Sequence, residues 1–167
     1  MTELDSWHAQ VSENIIEPER PIIDPHHHLW RMGTPYELED LWADTKAGHN
    51  ITGTVFIECG AEYRTDGPVA LQPVGETEYV VAQAKQARKG EAPGKPPILG
   101  IVSHADLTLG AAVVDVLQAH QESAEGLLRG IRHSTAFYPD PPAVDRYAGR
   151  VAELMLQPSF REGFAQL

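Results

Sequence analysis

Apolar residues along this chain repeat on two alternating spacings, and each change of spacing marks a strand giving way to a helix. The first apolar run, Ile22-Ile23, leads into Asp24-Pro25-His26-His27-His28-Leu29-Trp30 and reads as a strand. Leu38, Leu41, Trp42 and Thr45 then fall at i, i+3, i+4 and i+7, so residues 35–47 are expected to form a helix with one buried face. Pro35 suits its first turn and Gly48 its end. Residues 51–59 are rich in β-branched and aromatic side chains without polar alternation, as in a strand covered on both faces. The connection over 60–75 is long, and loops of that length are often functional. Val80, Val81, Ala84 and Ala87 share one side of a helix over 75–89. A short apolar strand over 98–102, a helix over 109–123 and a strand over 127–133 follow. Beyond a proline-rich loop at 139–142 come two short helical pieces, at 144–156 and 158–166. Ahead of all this, Trp7, Val11 and Ile15 lie at helical spacing until Pro18 and Pro21 intervene. Residues 1–20 are therefore expected to be a helical appendage on a main domain spanning 21–167.

Strand and helix alternating four times over predict an α/β fold with a parallel sheet. An open, doubly wound sheet would carry a glycine-rich phosphate loop after its first strand, and none is present. A (β/α)8 TIM-barrel-like architecture instead gathers its polar residues at the carboxyl ends of the strands. His26, His28, Glu58, His104, Asp106, Arg132 and His133 all fall at such ends. A complete barrel takes about 250 residues. The 167 residues here hold about four β/α units, so the expectation is a partial barrel, the N-terminal half.

The net charge of −11 removes nucleic acid and anionic membrane surfaces as expected partners. No apolar run reaches the ~20 residues of a membrane span, and the first 20 residues lack the basic start and apolar core of a signal peptide. The single cysteine, Cys59, excludes an internal disulfide, suits a reducing compartment and is expected to be small and buried. A soluble cytoplasmic protein is the expectation.

Alternation along the first strand puts Asp24, His26 and His28 on one face and His27 on the other. Two imidazoles two residues apart can chelate one divalent ion, with a carboxylate on that face to ligate or orient. Glu58 is either a pocket carboxylate or half of an ion pair. Arg132 is the candidate for a bidentate grip on a substrate carboxylate, or else a salt-bridge partner of Glu58 or Asp106. His133 should point away from Arg132. His104 and Asp106 share a face; His104 reads equally as a structural histidine, and Asp106 as the cap of the next helix. Trp30, Trp42, Tyr63 and Tyr138 either shape a pocket or belong to the core.

The stretch Asp24-Pro25-His26-His27-His28 resembles the D-x-H-x-H signature on the first strand of the amidohydrolase superfamily. Residues 54–59, 100–107 and 129–133 carry further matches, to the amidohydrolase 2 group near the sugar-lactone and pyrone-dicarboxylate lactonases. That resemblance runs from Pro21 to Leu167 and implies a hydrolase that directs water onto a lactone, amide or related carbonyl of a small acidic metabolite. It implies a divalent metal, zinc or manganese, on His26 and His28. Glu58, Arg132, His104 and Asp106 would then face substrate. The further histidine and the general-base aspartate would lie beyond Leu167, so this chain alone is expected to be inactive. Some lactonases of the group work without metal, and in that mode the histidines would contact substrate. The alternative is a truncated, non-catalytic paralogue that acts by pairing with another chain. Open sheet edges would also favour self-association.

Overall fold

The computed structural model of the chain describes residues 3–11, 13–90, 92–137 and 151–167. Four strands, β1 (Pro21–His27), β2 (Asn50–Ile57), β3 (Ile98–Ser103) and β4 (Leu128–Ile131), form one sheet in the order β1-β2-β3-β4. Each strand pairs in parallel with the next. The connections carry helices α2 (Leu38–Thr45), α3 (Val74–Lys89) and α4 (Val113–Ser123), with α1 (Glu3–His8) ahead of the sheet and α5 (Pro158–Phe164) after it. This is the α/β alternation expected, with no reversal of strand order within the sheet.

A parallel crossover is right-handed, so successive crossovers that step in one direction lay their helices on one sheet face. The main core shows this: Leu38, Leu41 and Trp42 of α2 and Val80, Val81 and Ala84 of α3 pack with Phe56, Ile98 and Ile101 of the strands. Residues that share an expected helical face, Leu38, Leu41, Trp42 and Thr45, are all buried. Each large apolar side chain so buried contributes about 1.5–3 kcal/mol. A second cluster joins Val113 and Val116 of α4 to Leu107, Leu154 and Phe160. Elsewhere on the sheet apolar groups stay in the open: Ile23 of β1 is 54% exposed and Leu99 of β3 is 38% exposed.

Where boundaries depart from expectation, local chemistry accounts for it. Helix α2 begins at Leu38 instead of 35 because Tyr36 and Trp30 exchange two backbone hydrogen bonds, 2.9 and 3.0 Å, and hold the preceding residues extended. The helix expected over 109–123 is broken near its start: Gly110, at φ 61° and ψ −139°, kinks the 3₁₀ stretch Leu107–Ala112 that leads into α4. The positive φ favours glycine at this position. The N-terminal helix covers only Glu3–His8, and Trp7 and Val11 are 65% and 71% exposed, so its apolar stripe lies largely in solvent. Cys59 is exposed, correcting the expectation of burial, because it lies two residues beyond the end of β2. The loop at 139–142, Tyr138 and most of the helix expected over 144–156 lie outside the described residues. Among those described, Leu154–Leu156 form a 3₁₀ turn. No helix among the described residues is long and apolar enough to cross a membrane.

Candidate functional site

Parallel strands in consecutive order put all their carboxyl ends on one edge of the sheet, and the chain's polar residues collect there. Strand β1 ends in the histidine run. His26 is exposed and His28 half-buried, and their Nε2 atoms stand 3.3 Å apart with the rings edge to face. His28 Nδ1 lies 2.7 Å from the Ile57 carbonyl oxygen, which accepts only from an N–H; the proton is thereby placed on Nδ1 and the lone pair on Nε2. This is the usual arrangement behind a metal-binding imidazole, in which a backbone carbonyl fixes the tautomer. Two nitrogens on one tetrahedral zinc, each about 2.0–2.1 Å from it, lie about 3.3–3.4 Å apart. The observed spacing of the pair fits that requirement, and with the His28 proton on Nδ1 the His26 Nε2–H donates to the His28 Nε2 lone pair.

The third donor is not gathered with them. Asp24 Oδ1 accepts from the His26 backbone N–H at 3.0 Å, tying the carboxylate into its own turn. Among the described residues no group of three or more His, Cys, Asp or Glu side chains could hold a metal ion. His27 turns the other way, as alternation requires, and packs edge-on to Phe56 with ring centroids 5.8 Å apart. Both its ring nitrogens are buried without a well-formed hydrogen bond, although the Val55 backbone lies close enough to act on the ring. Burial lowers its pKa to about 4, opposed by the Asp24 charge, so the ring is neutral at pH 7.

Strands β2, β3 and β4 supply the second part of the site. Glu58, Tyr63, His104, Asp106 and His133 line one cavity of about 440 Å³. Glu58 and Arg132 form an ion pair at 2.6 Å from Arg132 Nε to Glu58 Oε1, and Arg132 Nη2 also donates to the Glu58 carbonyl oxygen. One edge of the guanidinium is thus committed to Glu58. A substrate carboxylate would have to use the other. His104 Nδ1 lies 3.0 Å from the Arg132 carbonyl oxygen, which places the lone pair on Nε2. His133 points away from Arg132, as expected: its Nδ1 accepts from the Leu107 N–H at 3.0 Å and its ring meets His104 edge to face. Asp106 acts as a cap, its Oδ1 accepting from the Thr108 N–H at 2.9 Å and from the Thr108 hydroxyl at 2.6 Å. Trp42 belongs to the core, whereas Trp30 stacks on Tyr36 beside the histidine run.

Glu58, His104 and Asp106 are therefore brought together around one cavity. His26 and His28 sit apart from it, in a depression along β1. Although the residue as a whole is exposed, desolvation of the Cys59 thiol, with the neighbouring Glu76 carboxylate, pushes its pKa up to about 12, which disfavours the reactive thiolate.

Sequence reasoning missed the supports behind these residues. Glu76, almost fully buried at the start of α3, accepts from the Cys59 N–H at 2.9 Å and the Ala61 N–H at 2.8 Å, pinning the turn that follows Glu58. Burial raises its pKa against the lowering effect of those two bonds. Thr77, Ser103 and His120 form a buried chain: Thr77 Oγ1 lies 2.7 Å from Ser103 Oγ and 2.8 Å from His120 Nδ1, and His120 Nε2 lies 2.9 Å from the His104 carbonyl oxygen. It ties the end of β3, where His104 sits, to α3 and α4. An acid in the first turn of an otherwise buried helix was the available signal for Glu76; no spacing rule points to the chain.

The chain is 29% identical over 169 residues to "Uncharacterized protein y4mH" of Sinorhizobium fredii, a match that covers 87% of this chain and 50% of that protein. The chain thus spans about half the length of the curated relative it matches. No family model matches the chain, and no solved structure matches it.

Proposed function

We propose that the chain is the opening half of a (β/α)8 barrel hydrolase of the amidohydrolase type, acting on a lactone, amide or related carbonyl of a small acidic metabolite. The observation that carries this reading is the His26–His28 pair at the carboxyl end of β1, with Nε2 atoms 3.3 Å apart and the His28 tautomer held by Ile57. Four parallel strands in unbroken order support the barrel, since a doubly wound sheet reverses its order at a switch point. A divalent ion held by His26 and His28 would polarise the scissile carbonyl and lower the pKa of its bound water toward neutrality. The chain's own residues supply the surroundings. Glu58 holds the Arg132 guanidinium in place, and its remaining edge is open to an acidic group from the neighbouring groove it lines with Ile131 and Phe160, outside the Glu58–His104 cavity. His104 offers an Nε2 lone pair toward a substrate hydroxyl or water. Three protein ligands are normal for a catalytic zinc, and a general base is also required, so the complete reaction draws on residues beyond this chain.

The test has two parts. Titrated calorimetrically, the chain should bind one zinc or manganese ion, and His26→Ala with His28→Ala should abolish that heat. Assayed on carboxylated lactones with added metal, the chain alone should show no turnover above background. Turnover that vanishes in the double variant would show that four units suffice and overturn the half-enzyme reading. A second reading is a non-catalytic chain that acts by pairing with another polypeptide; among the described residues only two histidines, and no third donor, are gathered at the β1 end. Undetectable metal binding would favour it.

A further inference from the structure

We propose that a cavity under the connection from β2 to α3 is a second compartment of the Glu58–His104 site, shaped to hold an aliphatic arm of the substrate. The inference rests on the hydrolase reading and adds the shape of the molecule hydrolysed. This cavity, of about 350 Å³, is lined by Val69, Ala70, Pro73 and Leu109 together with Tyr63, His104 and Asp106. The last three also line the cavity that holds Glu58, so the two spaces share one wall. Away from that wall, the described lining is apolar but for Gln72. Apolar walls with a few convergent polar groups are the usual make-up of a small-molecule site. A substrate whose carbonyl lies beside His104 would send a substituent past Tyr63 into these apolar surroundings. A compact space of that volume is about 7 Å across, room for roughly four extended carbons at about 1.5 Å per bond.

The connection that roofs this compartment is held at many points, as a preformed pocket requires. Glu62 sits at φ 52°, a left-handed conformation that costs a non-glycine residue energy and persists only where the surroundings impose it. At Gly75 a Cβ would stand 2.5 Å from the Glu62 carbonyl oxygen and 2.6 Å from the Arg64 nitrogen. The loop backbone therefore lies directly on the start of α3, an approach that glycine permits. The Arg64 N–H donates to the Gln72 carbonyl oxygen at 2.9 Å, and the Arg64 guanidinium pairs with Glu78. Glu76 takes the Ala61 N–H at 2.8 Å. Backbone on both sides of Tyr63 is thus fixed, and with it the wall between the two spaces. Ala70 and Leu71 pack against the core cluster of Val113, Val116 and Phe160, which anchors the far side of the loop. Val69, 78% exposed, and Leu109, 37% exposed, stand in the lining where an entering arm would cover them.

The experiment titrates the full chain with γ-butyrolactone, γ-hexalactone, γ-octalactone and γ-decalactone, and with 1-butanol as the arm without its ring, followed by methyl and imidazole NMR. Lactone affinity is expected to rise about fourfold per methylene through the butyl arm of γ-octalactone and to level off at the hexyl arm of γ-decalactone. The methyl resonances of Val69, Ala70 and Leu109 should move with the arm, and the His104 imidazole with the ring. Val69→Asp, a change at an exposed position, should weaken γ-octalactone by at least about tenfold. Ala70→Phe, which fills the space, should bring γ-octalactone down to the affinity of γ-butyrolactone; should that variant not fold, Val69→Asp alone decides. Affinity indifferent to arm length, affinity still climbing at the hexyl arm, methyl shifts elsewhere in the chain, or a Val69→Asp chain that binds γ-octalactone as the wild type does would each overturn the compartment. The hydrolase reading fails separately: γ-octalactone that moves the three methyl groups yet binds no tighter than 1-butanol and leaves His104 unmoved would uphold the compartment and sink that reading.

Discussion

Removing the Thr77 hydroxyl isolates the buried chain that holds the end of β3. His120 Nε2 faces the His104 carbonyl oxygen and so carries the ring proton, leaving Nδ1 as an acceptor. The Thr77 hydroxyl must then donate to Nδ1, and the Ser103 hydroxyl must donate to Thr77 Oγ1. Every direction in the chain is fixed. Thr77, Ser103 and His120 are 1%, 2% and 0% exposed, so water cannot replace a lost member without the packing opening. Thr77→Val keeps the shape but strands one donor on Ser103 and one acceptor on His120, each at about 1–3 kcal/mol, for a total loss of about 2–6 kcal/mol. Thr77→Ser keeps the hydroxyl and gives up one methyl, a loss of about 1 kcal/mol. Urea unfolding, followed by circular dichroism and tryptophan fluorescence at one protein concentration, should move the Thr77→Val midpoint down by about 1–3 M for a slope near 2 kcal/mol/M. Thr77→Val/Ser103→Ala should be less destabilised than the sum of its two single changes, because the orphaned donor is gone. A Thr77→Val midpoint within error of wild type, or a larger loss for Thr77→Ser, would refute the reasoning.

Three other outcomes follow from the same geometry. His27 and His120 both have folded pKa values below the ordinary 6.5, from burial, so their stabilising effect is complete above that pH and is lost as pH falls. For His27 the loss runs from 6.5 to about 4 and amounts to about 3 kcal/mol at most; His27→Leu should flatten the fall in melting temperature over that range. Glu76 has the opposite sign: with its folded pKa raised by burial, its contribution is largest at acid pH and fades as pH rises through the folded value. Glu76→Ala should still destabilise at pH 7, by about 1–3 kcal/mol for each stranded donor, and speed hydrogen exchange at the Cys59 and Ala61 amides. Gly163→Ala places a Cβ 2.1 Å from the Leu107 carbonyl oxygen and 3.1 Å from its Cα, so backbone must part from backbone. The expected loss is about 1–3 kcal/mol, with limited proteolysis cutting first at α5.

Elements written as hydrophobic periodicity were legible in the sequence, because burial of one face is what makes them form. Leu38, Leu41, Trp42 and Thr45 point where their spacing says, as do Val80, Val81, Ala84 and Ala87. Opposite orientations of His27 and of the His26–His28 pair follow from strand alternation alone. Boundaries set by partners distant in sequence were not legible. The Trp30–Tyr36 bridge shortens α2, and the left-handed backbone of Gly110 breaks the helix before α4. Chemical roles were least legible where one residue type serves two purposes. Asp106 proves to be a cap and Arg132 a partner of Glu58, both weighed beforehand, but no pattern in the chain decides between such roles without coordinates. The Thr77–Ser103–His120 chain was invisible because its members lie 26 and 43 residues apart.

Long-range proton–nitrogen NMR of the imidazoles, with and without one equivalent of zinc at neutral pH, tests the central claim most directly. The account predicts His28 protonated on Nδ1 in the free chain, and zinc-induced shifts of the Nε2 resonances of His26 and His28 together. Zinc that leaves both unmoved, or that shifts other histidines in their place, would contradict it.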